Sequence, residues 1–93
     1  MTNDEYAARH IMGWPEKMSG WVSPDGFIDR AFWKPSTDRN QLADVCMEMH
    51  EWANENDHQD IHLTVERAWA DADYEPTAAL EAIVQAHKNQ KEG

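Results

Sequence analysis

The sequence has little cysteine, no long apolar run and few basic residues after Arg39. Cys46 is the one cysteine among 93 residues, so the chain cannot form an internal disulfide. Small secreted domains usually carry several cysteines, and we therefore expect a reducing, cytoplasmic setting. No stretch approaches the roughly 20 apolar residues that a membrane span requires, and residues 1–10 lack the apolar segment of a signal peptide. These absences predict a protein without a membrane segment.

The shortage of basic residues is confined to the second half of the chain. Residues 40–87 hold eleven Asp and Glu residues against Arg67 alone, whereas residues 1–39 hold six acidic and five basic residues. Most of the net charge of −10 therefore lies in the second half. A nucleic-acid-binding domain shows a basic stripe instead, so direct contact with a phosphate backbone is disfavoured.

The length of the chain predicts a single domain. A chain of 93 residues buries only about two-thirds of its unfolded surface, which is too little for two separate cores. Hydrophobic residues make up 41% of the sequence, with five Trp among them. This composition supports a packed core and argues against a disordered acidic tail. We expect one domain over residues 1–93, ordered roughly from residue 3 to residue 88.

Capping and turn residues divide the first part of the chain into a helix and a hairpin. Thr2 and Glu5 have the spacing of a capping box and Gly13 is a helix-ending residue, which together predict a helix over about residues 3–12. The segment Ser23-Pro24-Asp25-Gly26 has the composition of a tight turn. Aromatic and β-branched residues precede and follow it, so two strands joined by this turn are expected.

The second helix has the clearest periodicity in the sequence. Ser36 or Thr37 is the expected N-cap, because Pro35 precedes them and Asp38 would lie in the first turn, where an anion is favoured. Apolar residues then recur at helical spacing, which predicts an amphipathic helix facing the core. They are Leu42, Val45, Cys46, Met49, Trp52 and Ala53.

Alternation after residue 60 predicts a strand. Ile61, Leu63 and Val65 alternate with polar residues, and a further short strand is expected after Trp69. Pro76 then begins a last helix. The predicted order is α-β-β-α-β-(β)-α, an α+β domain with a three- to four-stranded, mostly antiparallel sheet and helices packed on it. The apolar face of the last helix comprises Leu80, Ile83, Val84 and His87.

Four segments follow one another along the chain in a distinctive order. They are "HIMGW" at residues 10–14, the Trp-rich hairpin, "KPSTD" at 34–38 and "ADADYEPTAALEAI" at 70–83. Over roughly residues 6–86 this set resembles the phage ABA sandwich domain family, small proteins of bacteriophages and prophages. The sequence departs from the family at the tight connection 66–68, where many relatives carry a longer strand pair. The resemblance implies an α/β sandwich and a phage origin, and it implies no catalytic residues.

Carboxylates align along one side of the predicted second helix. Asp44, Glu48, Glu51 and Glu55 are spaced i, i+4, i+7, i+11, away from the apolar stripe. Like charges at this spacing are unfavourable, and solvated helices usually mix both signs. The surface therefore either imitates nucleic-acid phosphates toward a basic protein groove or only keeps the protein in solution. The same candidate surface includes Asp57, Asp60, Asp71, Asp73 and Glu75.

Aromatic residues form a second candidate site. Trp52 belongs to the predicted core stripe, while the other four Trp residues cluster around the hairpin or follow the third strand. Trp is frequent both in cores and at interaction hot spots, so these rings either pack internally or contact a partner. The candidate aromatic contacts are Trp14, Trp21, Trp33 and Trp69.

Metal binding is a weaker hypothesis. Cys46 and His50 lie four positions apart, as do His58 and His62, a spacing found in zinc sites. Cys46 belongs to the core stripe, however, and the second pair straddles a loop and a predicted strand. We therefore expect no metal and no other cofactor. His10 and His87 are interpreted as residues packed at the edge of the core.

Binding is the expected activity, because no nucleophile motif or phosphate-binding loop is present. We expect no enzymatic activity. The leading hypothesis is an acidic bacteriophage accessory protein of the host cytoplasm that inhibits a host defence or nucleic-acid-handling protein, as anti-CRISPR or anti-restriction proteins do. All 18 carboxylates equal only the charge on about 30 Å of duplex DNA, so mimicry would cover a short segment. The alternatives are a nucleotide-sequestering module and a structural protein that forms homo-oligomers.

Overall fold

A computed structural model describes residues 1–92, with side chains described through Gln90. Within these residues the chain forms four helices and a three-stranded antiparallel sheet of order β1-β2-β3, which confirms the predicted α+β class. In chain order the elements are α1 (Asn3–Tyr6), a π-helical segment (Ala7–Ile11), β1 (Glu16–Lys17), β2 (Gly20–Ser23), β3 (Gly26–Asp29), a 3₁₀ turn (Arg30–Phe32), α2 (Arg39–Glu55), α3 (Gln59–Asp71) and α4 (Pro76–Glu92).

The first helix begins at the predicted cap, but the predicted span is divided between α1 and the π-helical segment, which ends at Ile11. Thr2 Oγ1 accepts a hydrogen bond from the Glu5 amide at 3.2 Å, which satisfies one of the free N–H groups of the first turn. The helix then widens, since the Met12 amide donates to the Ala7 carbonyl at 2.8 Å. Gly13 follows with φ of +71°, a conformation that favours glycine at a helix end.

The hairpin forms at the predicted turn, but the third strand comes from an unexpected part of the chain. Ser23 Oγ donates to the Gly26 carbonyl at 2.8 Å and accepts from the Asp25 amide at 3.2 Å, which closes the turn. The third strand is β1, paired with β2 in the register Glu16↔Trp21. Gly20 is required here, because a Cβ at this position would lie 2.1 Å from the Ile28 carbonyl oxygen of β3.

Helix α2 is present as predicted, with one correction at its start. The N-cap is Asp38 rather than Ser36 or Thr37: its Oδ1 accepts from the amides of Asn40 and Gln41 at 2.9 and 3.2 Å. Ser36 is used elsewhere, since its amide and hydroxyl both donate to the Asp4 carboxylate at 2.9 Å. This contact ties the loop before α2 to α1.

The strand predicted around Ile61, Leu63 and Val65 is wrong, because residues 59–71 form α3. The same residues also fit a helical pattern, in which Ile61, Val65 and Ala68 lie on one face. The helix forms because this face packs against the rest of the core. Ile61, Val65 and Ala68 are buried against the core, while Leu63 is 50% exposed. No Gly or Pro interrupts residues 59–71, so nothing in the backbone opposes the helix.

Helix α4 completes the core against α3 and α2. Its predicted apolar face, including His87, is buried, and the Tyr6 hydroxyl lies 2.7 Å from His87 Nδ1. His10 is exposed, although its ring lies 4.7 Å from that of Tyr6. The buried apolar side chains of the helices and of β2 form one cluster. Among the described residues, no helix combines the length and apolar character needed to cross a bilayer.

We expect Gly20→Ala to destabilise the protein by about 2 kcal/mol or more, because the added Cβ forces β2 and β3 apart. Val22→Ala, at a partly exposed position in the same strand, should cost less than about 1 kcal/mol. Urea denaturation of both variants measures the difference. Equal losses for the two variants would contradict the close approach of Gly20 to β3.

Candidate binding cleft

A cleft of about 450 Å³ lies between α2 and the β2–β3 hairpin. Helix α2 forms one wall and residues 23–28 of the hairpin form the opposite wall, while Trp14 and Trp33 contribute from the segments that flank the sheet. A volume of this size is within the range of about 300–1,000 Å³ usual for ligand sites. No Lys, Arg or His residue lines the cleft.

Four carboxylates border this cleft without an internal partner. Asp44, Glu48 and Glu51 come from α2 and Asp25 from the hairpin turn, and none of them makes a side-chain hydrogen bond or ion pair within residues 1–90. The Ser23 hydroxyl and the Gln41 side-chain amide, in contrast, are bound within the protein. Gln41 donates through Nε2 to the Phe32 carbonyl at 2.6 Å and accepts from the Lys34 amide at 2.6 Å. The carboxylates are thus charged groups that remain available to a ligand.

Glu48 is a carboxylate of the cleft with a raised pKa. Partial burial raises the pKa of Glu48 above its usual value, and the negative charges of Glu51 and Glu55 raise it further. A carboxylate held in a poorly solvated place beside like charges is stabilised when a cation approaches. Perturbed groups of this kind concentrate at functional sites, so Glu48 marks the cleft as a candidate site.

The cleft also exposes apolar surface. Trp14 packs edge-on against Trp33, with ring centroids 4.7 Å apart and an interplanar angle of 64°. Phe27 on the hairpin is 52% exposed and Met47 on α2 is 63% exposed. Large apolar side chains that border carboxylates in a concave surface are typical of interaction sites rather than of a solvated face.

The arginines of the N-terminal half are bound elsewhere. Arg9 and Arg30 both pair with Glu16 on β1, the second at 2.9 Å. Arg39 pairs with Asp73 at 2.6 Å. These are the ion pairs found within the described part of the chain, so no arginine folds over the α2 carboxylates. A nucleotide would therefore have to place its phosphates against unpaired carboxylates in this cleft.

The structure distributes the predicted acidic residues over several places. Asp44, Glu48 and Glu51 border the cleft, with Glu48 partly buried. Glu55 ends α2, Asp57 follows it and Asp60 lies at the start of α3. Asp71, at the far end of α3, lies about 16 Å along the axis from Asp60. It borders a second groove with Glu75, while Asp73 is compensated by Arg39.

The predicted aromatic contacts also divide into two classes. Trp21 and Trp33 are 0% and 2% exposed and belong to the core, so they offer little surface to a partner. Trp14 is partly exposed in the cleft, and Trp69 is partly exposed on α3 beneath the Arg39 guanidinium, 4.9 Å from its ring centroid. Trp52, expected in the core, is only partly buried against it.

The histidines join helices to one another. His50 Nδ1 on α2 lies 2.7 Å from His62 Nδ1 on α3, and His62 Nε2 lies 2.9 Å from Asn54 Oδ1. Because an amide oxygen accepts, His62 Nε2 donates to Asn54 Oδ1. Within residues 1–90, no three His, Cys, Asp or Glu side chains are grouped so as to hold a metal ion.

Several residues of the cleft were missed at the level of sequence. Met12, Asp25, Phe27 and Met47 all line it. Met47 could have been predicted from the sequence, because it is an apolar residue on the acidic side of α2, in line with Asp44, Glu48 and Glu51. The hairpin residues could not, since only the tertiary fold brings their turn to α2.

Comparison with known proteins identifies no relative: no family model, curated protein or solved structure matches this chain.

We expect Glu48→Gln to stabilise the protein at neutral pH by about 0.5 kcal/mol, because it removes a partly buried charge and its repulsion by Glu51 and Glu55. The raised pKa of Glu48 means that its contribution to stability is present below the ordinary value of 4.5 and is lost as pH rises through the raised value. The stabilising effect should therefore disappear at acid pH. Denaturation curves across this range measure it.

Glu81→Gln is the matched control, since Glu81 is exposed on α4 and has no charged residue three or four positions away. It should leave stability nearly unchanged at every pH. A stabilisation by Glu48→Gln that persists unchanged well below pH 4.5 would contradict the electrostatic origin.

We expect Cys46 to be unreactive in the native protein. Burial raises the pKa of the Cys46 thiol to about 11, so very little thiolate is present near pH 8. Alkylation by iodoacetamide should be at least about 100-fold slower than in the urea-unfolded chain, where the thiol is solvated. Similar rates in the two states would show that Cys46 is accessible.

Proposed function

We propose that this protein acts by binding another protein, through the unpaired carboxylates of α2 and the cleft beside them. The observation that supports this most strongly is that Asp44, Glu48 and Glu51 remain without a basic partner while three arginines are bound to Glu16 and Asp73. A basic surface on a partner would relieve the repulsion along α2 and the poor solvation of Glu48 together.

The spacing of the α2 carboxylates also suits a groove that normally holds nucleic acid. Asp44 and Glu55 are separated by about 16 Å along the helix axis. One strand of DNA places about five phosphates in that distance, and α2 offers four carboxylates. The match is with a single strand and over a short length. It supports imitation of a local phosphate row rather than of a whole duplex.

The finer proposal concerns the biological setting. The resemblance of "HIMGW", "KPSTD" and the segment 70–83 to small phage proteins supports a bacteriophage accessory protein in the host cytoplasm. Its partner is then a host defence or nucleic-acid-handling protein, whose basic groove it obstructs. This activity is inhibition by binding and requires no catalysis by the protein itself.

We expect a partner captured from a bacterial host lysate to be released as NaCl rises from about 50 to about 300 mM, since exposed charge pairs are screened over this range. Neutralising the α2 carboxylates should weaken binding about 10- to 100-fold. The α2 set is Asp44→Asn, Glu48→Gln, Glu51→Gln and Glu55→Gln. Quantitative pull-down followed by titration of the purified partner measures both effects.

A second set with the same change in net charge serves as the control, on the α3–α4 side. It comprises Glu66→Gln, Asp71→Asn, Glu75→Gln and Glu81→Gln. This set should retain the partner. Partners that resist both salt and the α2 set, or that are lost only with the control set, would contradict the proposal.

A further inference from the structure

The cleft combines two chemistries that a ligand would have to satisfy at once. Trp14, Phe27 and Met47 supply its apolar surface. Its carboxylates come from Asp25 on the hairpin and from Asp44, Glu48 and Glu51 on α2. A purely apolar ligand would bury these carboxylates without compensation, which is costly. A small hydrated cation would gain nothing from the aromatic surface. The fitting occupant carries positive charge on an apolar stem, as Lys and Arg side chains do.

The protein itself shows how it accommodates a guanidinium. Arg39 pairs with Asp73 at 2.6 Å and lies 4.9 Å from the ring centroid of Trp69. Arg30 pairs with Glu16 at 2.9 Å and lies 5.3 Å from the ring centroid of Trp21. In both places an arginine is held between a carboxylate and an indole.

The cleft also places carboxylates beside an indole ring, but no arginine of the described chain lines it. Carboxylates of α2 and the partly exposed Trp14 line one concave surface, and Phe27 adds a second accessible ring. A guanidinium is planar, weakly hydrated and able to bind a carboxylate with two hydrogen bonds, and it stacks on aromatic faces. The lysine ammonium is more strongly hydrated and loses more on entering a partly desolvated cleft. The cleft is therefore better matched to arginine.

We infer that the cleft receives an arginine side chain from a basic segment of the partner protein, with its guanidinium against Glu48 and Glu51 and its stem along Trp14 and Phe27. This inference rests on the proposed function, because it takes the α2 surface as the contact for a basic protein. It adds the residue that the partner inserts. The volume of about 450 Å³ leaves room for an apolar neighbour of that arginine beside Met47.

The test uses NMR titration of the ¹⁵N-labelled full chain with acetyl-Gly-Leu-Arg-Leu-Gly-amide at low salt. The Trp14 indole N–H resonance should shift saturably with the arginine peptide. The same peptide with lysine in place of arginine should bind several-fold more weakly. The peptide with citrulline, an uncharged analogue of arginine, should produce no saturable shift. Assignment of the five indole resonances by single Trp substitution identifies the one that moves.

Two variants separate the charge from the aromatic contribution. Glu48→Gln should weaken the arginine peptide about 5- to 10-fold, by loss of a partly desolvated charge pair, whereas Glu81→Gln should leave it unchanged. Phe27→Leu keeps an apolar side chain at an exposed position and should weaken binding about 2- to 5-fold. The dispersion of the same spectra confirms that each variant is folded.

Three results would overturn the inference: equal binding of the arginine, lysine and citrulline peptides, an effect of Glu81→Gln equal to that of Glu48→Gln, or free L-arginine binding as tightly as the peptide. The last would assign the cleft to a small molecule. If the peptides fail while the captured partner still requires the α2 carboxylates, the arginine site falls and the proposed function stands. If the arginine peptide binds but the α2 set of substitutions leaves capture of the partner unchanged, the proposed function fails.

Discussion

The uncompensated charge on α2 persists because the opposite side of the same helix is buried. Leu42, Val45 and Met49 are fully buried there, and each contributes about 1.5–3 kcal/mol relative to exposure. Repulsion between neighbouring carboxylates costs only a few tenths of a kcal/mol per pair. The helix is therefore held in place by its apolar side, and its charged side is available for binding without loss of the fold.

The α2 carboxylates lack basic partners because three arginines of the N-terminal half form ion pairs elsewhere. Arg9 and Arg30 stabilise the edge strand through Glu16, and Arg39 links the start of α2 to the loop after α3 through Asp73. Each pair is partly exposed and contributes little to stability by itself. Their larger effect is to leave the middle of α2 without a cation. In the function we propose, a partner with a basic surface supplies these missing cations.

Much of the fold was predictable where local signals agreed with one another. The Thr2 cap, the Ser23-Pro24-Asp25-Gly26 turn and Pro76 each mark an element that the structure contains. Residues 59–71 were assigned wrongly because Ile61, Leu63 and Val65 satisfy both a strand and a helix pattern over a short window. The choice between them depended on packing against α2 and α4, which periodicity within the segment does not report.

The sequence by itself determined that one side of α2 is apolar and that the other carries carboxylates without nearby cations, since both follow from helical spacing. Only the tertiary structure decided that Asp44, Glu48 and Glu51 border an apolar cleft while Asp73 is paired. The cleft depends on the approach of the hairpin to α2, and the Arg39–Asp73 pair joins residues far apart in the chain. Contacts between separate segments arise from the packing of the whole core, and no local spacing encodes them.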